Sequence, residues 1–207
     1  MSGATVLVVD DDPSMREALH LLITSAGWEA VAFASAREFL ARPRVEGPCC
    51  LVLDVNLPDL SGLELQGRVA DGGMSLPVIF ITGYGDVPMT VRAMKAGAVE
   101  FLTKPFHDHV LLDAIREAIA RSAAALREAG ELRALRERYE SLTARERDVM
   151  VGVVMGRLNK QVAFDLGISE ITVKAHRGSL MRKMAAATFP DLVNMASRLG
   201  LKTPGGR

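Results

Sequence analysis

The 207-residue chain is 49% hydrophobic, enough for a buried core, and no apolar run approaches the ~20 residues of a membrane span. Its 25 basic and 25 acidic side chains cancel, but unevenly: residues 1–124 carry 16 acidic and 10 basic groups, and residues 141–207 carry 5 and 11. An acidic part followed by a basic part implies a different partner for each, and the basic part suits nucleic acid. Adjacent Cys49 and Cys50 make neither a structural staple nor a metal framework, and Met1-Ser2-Gly3 lacks the layout of a signal peptide. These features point to a soluble protein of a reducing cytoplasm.

In chain order, short apolar runs at Val6–Val9, Trp28–Phe33, Cys50–Leu53, Val78–Ile81 and Val99–Leu102 read as strands buried on both faces of a parallel sheet. Helical segments lie between them. Asp12-Pro13 is an N-cap followed by proline at the first helical position, and Ser35 to Glu38 and Ser61 to Glu64 read as capping boxes. Gly27 and Gly97 follow helix ends. Five strand-helix alternations predict a doubly wound α/β domain over residues 1–121. From His107 to about Tyr139 the pattern is helical, with Leu111, Leu112, Ile115, Ala118 and Ile119 facing the sheet. Residues 122–140, rich in Ala, Arg, Glu and Leu and interrupted by Gly130, read as a helical linker suited to support dimerisation. No strand pattern follows. Thr143 to Glu146 is another capping box, and helices are predicted near 144–155, 160–166, 170–184 and 190–199, giving a small all-α domain over 141–207.

Polar residues end the apolar runs of the first domain. Asp10-Asp11-Asp12 follows the first run, Asp54 the third, Thr82 the fourth and Lys104-Pro105 the fifth. In an open α/β sheet such positions gather at the carboxyl edge, where ligands bind. Clustered carboxylates repel one another and call for a cation, and an all-oxygen site favours Mg²⁺. A carboxylate beside Mg²⁺ is able to attack phosphorus and form an acyl phosphate, with Lys104 neutralising phosphate charge and Thr82 bonding a phosphate oxygen. Strand-end aspartates are also ordinary turn and cap formers, a reading that suits Asp12 alone better than the whole set.

Val8-Val9-Asp10-Asp11-Asp12, Leu53-Asp54-Val55-Asn56-Leu57-Pro58, Ile81-Thr82-Gly83 and Phe101-Leu102-Thr103-Lys104-Pro105 resemble the receiver domain of two-component response regulators, a flavodoxin-like fold with a five-stranded parallel sheet. The resemblance covers residues 4 to about 120. It implies that Asp54 is the phospho-acceptor, and that Asp10, Asp11, Asp54 and the backbone carbonyl of Asn56 hold Mg²⁺. It implies too that Thr82 and Phe101 are the switch pair, that Lys104 pairs with phosphate, and that the Lys104-Pro105 bond is cis. Asn56 and Tyr84 sit where side chains screen an acyl phosphate from water, or simply ring an exposed loop. Gly85 to Ala98 resembles the FixJ branch, in which the face made by this helix and the next strand pairs on phosphorylation. Val91, Arg92 and Lys95 are the candidates for that contact.

Ser141 to Met150, Asn159 to Ala163, Leu166 to Ser169 and Thr172 to Arg177 resemble a LuxR-type helix-turn-helix over residues 141 to about 199. Gly167 permits the turn and Ser169 caps the second helix. On that helix Val173, Leu180 and Met184 fall on a core face, with Lys174, Arg177 and Gly178 expected on the opposite side, toward a major groove. Candidate DNA-binding residues are Asn159, Lys160, Thr172, Lys174, Ala175, His176 and Arg177, with Arg182 and Lys183 adding charge for phosphates. Two departures stand out: Arg157-Leu158 replaces a small or apolar pair, and Gly178 replaces a longer side chain.

The resemblance therefore implies a regulator phosphorylated on Asp54 by a cognate sensor histidine kinase. It then dimerises and binds a pseudo-palindromic promoter site, with RNA polymerase as a further partner and no membrane partner. FixJ relatives mostly activate transcription, so activation is implied. Catalysis is limited to the chain's part in its own phosphoryl transfer, so it is not expected to be an enzyme. Two alternatives stay open on the residues: a phosphorylation-independent DNA-binding regulator using its receiver as a dimeriser, and a metal-dependent phosphatase acting on outside substrates.

Overall fold

A computed structural model of the chain describes residues 3–43, 45–71 and 76–201. The outermost residues of the expected domains, 1–2 and 202–207, lie outside the described residues. The chain forms two compact units, Met1–Arg127 and Glu128–Arg207.

The first unit is built on five parallel strands, β1 Thr5–Val9, β2 Glu29–Phe33, β3 Cys49–Asp54, β4 Val78–Thr82 and β5 Glu100–Thr103, in the order β2-β1-β3-β4-β5. The connecting helices are α1 Pro13–Ser25, α2 Ala36–Ala41, α3 Gly62–Asp71 and α4 Val87–Lys95. Helix α5, Asp108–Glu140, begins after β5. The apolar runs are continuous because the sheet is covered on both faces. Val6, Val8, Cys50, Val52, Ile79 and Ile81 pack with Leu19 and Ile23 of α1 and Leu111, Ile115 and Ala118 of α5. Leu7, Val9, Leu51, Leu53, Val78 and Phe80 pack with Phe39, Leu65, Val69 and Ala93 from α2, α3 and α4. The strands differ from the runs by single residues at their ends: β1, β3, β4 and β5 extend into flanking residues, Trp28 precedes β2, and β5 starts at Glu100, although the Val99 amide still donates to the Val78 carbonyl at 2.7 Å.

The predicted caps organise the helix starts. Asp12 accepts from the Ser14 amide at 2.8 Å, and Ser61 and Glu64 exchange side-chain-to-backbone bonds at 3.1 and 3.3 Å. At α2, Ser35 caps the Glu38 amide, but Glu38 reaches the Ala34 amide rather than that of Ser35. Asp86 caps α4 by accepting from the Met89 amide.

In the second unit, α6 Ala144–Val154, α7 Asn159–Leu166, α8 Glu170–Met184 and α9 Phe189–Arg198 surround a core of Val149, Met150, Val153, Val162, Val173, Leu180, Met184, Leu192 and Ala196. Leu135 and Tyr139, from the stretch expected to be linker, belong to this core. Ser122, at the other end of that stretch, is buried in the first unit and its Oγ accepts from the Cys49 amide. Helix α5 continues through Gly130 without a break. Gly167, at φ +65°, closes α7 in the left-handed conformation, and Ser169 caps α8 through the Thr172 amide at 3.1 Å. Thr188 and Asp191 form a capping box for α9, which starts one residue before the predicted Pro190. Among the described residues, no helix is long and apolar enough to cross a membrane.

Two glycines of α3 make opposite demands. A Cβ on Gly62 would sit 2.4 Å from the backbone oxygen of Asp54 and 3.0 Å from the Val55 Cα, whereas one on Gly67 meets nothing within 4 Å. Gly62→Ala is expected to lose about 1–3 kcal/mol through overpacking against backbone. Gly67→Ala is expected to gain up to ~1 kcal/mol of helix propensity. Urea unfolding of the two variants checks both signs.

Candidate functional site

The crossing of the strand order between β2-β1 and β3 opens a crevice at the carboxyl ends of β1 and β3. Asp10 sits there fully buried, Asp54 nearly so, and Asp11 is exposed. One carboxylate oxygen from each of the three lies within 4.8 Å of the others. Lys104, arriving from β5, places its Nζ 2.8 Å from Asp10 Oδ2 and 2.8 Å from Asp54 Oδ2. The second oxygens are also held, Asp10 Oδ1 by the Asp12 amide at 2.9 Å and Asp54 Oδ1 by the Asn56 amide at 3.0 Å.

Burial pushes the Asp10 carboxyl above its ordinary pKa despite the bonds from Lys104 and Asp12. Burial disfavours the Lys104 charge, but its bonds to Asp10 and Asp54 outweigh that and raise its pKa. One ammonium among three carboxylates leaves a net negative, all-oxygen site. That donor set fits a hard divalent cation such as Mg²⁺.

Thr82 lies fully buried at the end of β4. Its Oγ1 accepts from Asn56 Nδ2 at 3.3 Å and from the Tyr84 amide at 3.2 Å, and donates to the Tyr84 carbonyl at 3.1 Å. Phe101 is half-buried with its ring 6.0 Å from that of Phe80. The Lys104-Pro105 bond is cis, and the Lys104 amide donates to the Thr82 carbonyl at 2.7 Å. A network of direct contacts thus links residues 10, 54, 56, 82 and 104. Tyr84 is 85% exposed and Asn56 exposed, so both ring the mouth.

Three contributors were not singled out from the sequence. Arg16 donates to the Asp10 carbonyl at 2.8 Å. Asp59 accepts from the Ala36 and Arg37 amides at 3.3 and 2.8 Å, bonds that hold its carboxyl below the usual range and strap the loop after Asp54 to the start of α2. Gly85 lets its backbone pack close beside Thr82 and Phe101, since a Cβ there would lie 3.0 Å from the Phe101 ring and 3.3 Å from the Thr82 methyl. On α4, Arg92 and Lys95 are exposed beside the exposed apolar Val87, Val91 and Met94.

In the second unit the helix-turn-helix residues divide. Lys160, Lys174 and Ala175 are exposed, and Thr172 and His176 are half-buried. Lys174 stands 3.5 Å from Glu170 on its own helix. Arg177 does not lie opposite the core face as expected. It is half-buried on the flank, donating to Asn159 Oδ1 at 2.7 Å with its guanidinium 5.6 Å from the Phe189 ring centre. Lys183 is likewise committed inward, 2.7 Å from the buried Glu146 carboxylate. At the Arg157-Leu158 departure, Arg157 pairs with Asp165, and the Leu158 amide donates to Gln161 Oε1 at 2.8 Å.

Comparison with known proteins matches two families along the chain. Residues 6–116 match the response regulator receiver domain, and residues 140–196 match the bacterial regulatory proteins of the luxR family. The chain belongs to the two-component response regulators that join a receiver to a LuxR-type DNA-binding domain and regulate transcription. It is FixJ-like. The chain is 44% identical to the transcriptional regulatory protein FixJ of Rhizobium meliloti over 197 residues, 95% of this chain and 96% of the relative. It is 50% identical to nodulation protein W of Bradyrhizobium diazoefficiens over 198 residues, 96% of this chain and 87% of the relative. Among solved structures, the response regulator StyR aligns with a TM-score of 0.85 at 44% identity, covering 95% of this chain and 99% of that one.

The Glu146 side chain is only 5% exposed. Burial works against its charge, but bonds from Lys183, Ser179 and the Thr143 amide outweigh burial and hold its pKa at about 2, below the ordinary 4.5. A carboxyl with a depressed folded pKa contributes stability that is present above pH 4.5 and lost as pH falls toward 2. Glu146→Gln is expected to lose about 2 kcal/mol near neutrality. Its deficit against the parent chain should shrink across that acid window, as read by urea unfolding followed by circular dichroism.

Proposed function

We propose that Asp54 accepts a phosphoryl group from a phosphohistidine of a cognate sensor kinase in the cytoplasm. The Asp54 carboxylate oxygen forms the new O–P bond, the N–P bond breaks, and the histidine nitrogen departs with its electron pair. The observation that carries this reading is the Lys104 ammonium bridging Asp10 and Asp54 within a cluster of three carboxylates. Asp10, Asp11, Asp54 and the Asn56 carbonyl are the residues that would hold Mg²⁺, which when bound neutralises charge between carboxylate and phosphoryl oxygens. Lys104 exchanges a carboxylate partner for a phosphoryl oxygen. Thr82 gives up its bonds to Asn56 and Tyr84 to bond phosphate, and Phe101 turns inward.

This exchange shifts an equilibrium between two receiver states. The favoured state pairs two chains through the α4 face carrying Val91, Arg92 and Lys95, with two-fold symmetry. Receiver residues 1–121, linker residues 122–140 and DNA-binding residues 141–207 then present two helix-turn-helix units to a pseudo-palindromic promoter site, and transcription by RNA polymerase is activated. In the second unit, Asn159 and Arg177 fix α7 against α8, while Lys160, Thr172, Lys174, Ala175 and His176 meet the duplex.

Acetyl phosphate with Mg²⁺ is expected to add about 80 Da to the chain, to raise its oligomer mass and to tighten DNA binding. Asp54→Asn should abolish all three effects. Intact-mass spectrometry, light scattering and DNA-site selection read them. Equal DNA binding and equal oligomer mass in both forms would instead support the receiver as a phosphorylation-independent dimeriser.

A further inference from the structure

The outward line of α8 is apolar where it starts. Opposite the buried Val173, Leu180 and Met184, residues 171, 175, 178 and 182 recur at helical spacing along the solvent side. Ile171 is 79% exposed in the first turn, Ala175 is exposed one turn on, and Gly178 is exposed with nothing within 4 Å of the place a Cβ would occupy. The polar neighbours have partners within the domain, of which only that of Arg177 is close and part-buried. Lys174 pairs with Glu170, Arg177 is bound to Asn159, and the Thr172 hydroxyl lies 2.8 Å from that of Ser169. Isolated exposed isoleucines are common on protein surfaces. This one occupies the start of the second helix of a helix-turn-helix, whose first residues meet base edges in the major groove. The one apolar group that a base pair presents there is the C5 methyl of thymine. Arg182 at the far end of this line and Lys160 on α7 are both exposed and suit phosphates.

Resting on the DNA-binding reading above, we propose that Ile171, backed by Ala175, reads thymine methyl groups, so that base discrimination at the start of α8 is apolar rather than hydrogen-bonded. The absence of a side chain at Gly178 lets the helix approach the base edges closely.

The test uses the full chain treated with acetyl phosphate and Mg²⁺. Duplex sites are selected from a random library, and each thymine in the selected half-sites is then replaced singly by uracil, which lacks only the methyl. Fluorescence anisotropy should show about a four-fold weaker affinity at one or more positions per half-site, the scale of one buried methyl group. Ile171→Ala should bind thymine and uracil sites alike while keeping the salt dependence of the parent. Lys174→Ala should weaken every site but keep the thymine preference. Ile171 is absent from the core, so its replacement leaves the fold intact, and circular dichroism with Ile171→Thr as a second variant verifies this. A chain that selects sites but treats uracil and thymine alike, or an Ile171→Ala chain that still distinguishes them, overturns this inference alone. A chain that binds no duplex at low salt overturns the DNA-binding reading together with it.

Discussion

One ammonium group holds the rim of the receiver together. Lys104 directly follows β5 at the sheet edge, yet it is bonded at equal distance to Asp10, just past β1, and Asp54 of β3. Without a cation in that place, two buried carboxylates would face each other across the crevice, an arrangement that raises pKa values and separates the groups. The bridge therefore does two things at once. It makes the acidic rim compatible with a folded sheet, and it keeps a positive charge beside the oxygen on which phosphoryl chemistry is proposed.

The sheet, its two covered faces and the placement of the rim residues were legible in the sequence. Consecutive apolar positions encode strands buried on both sides, and the polar residues that follow four of the five runs land at the carboxyl edge. Caps at Asp12, Ser61, Thr143 and Ser169 were legible too, because a cap is a local bond between near neighbours in the chain. The Thr188 box escaped because Asp191 stands where glutamate is the familiar partner.

What the sequence did not disclose was the destination of long side chains. Helical spacing gives the angle at which Arg177 and Lys183 leave α8, but it cannot say that Asn159 and Glu146 wait within reach on α7 and α6. A count of positive charges consequently overstates what the basic domain offers to phosphates. The same limit hid Arg16 and Asp59, whose partners are backbone groups, since backbone acceptors and donors carry no signature in residue type.

The loops beside Asp54 differ in how they are held. After β3, Asp59 is tied to the amides of α2, and Gly62 lies against the Asp54 carbonyl, so this shoulder is fixed at both ends. After β4, the hydroxyl of Thr82 gathers the local bonds, Tyr84 projects into solvent, and Gly85 packs close against Phe101 and Thr82. Asp54 thus stands between one shoulder pinned through backbone amides and another whose local bonds converge on a single hydroxyl.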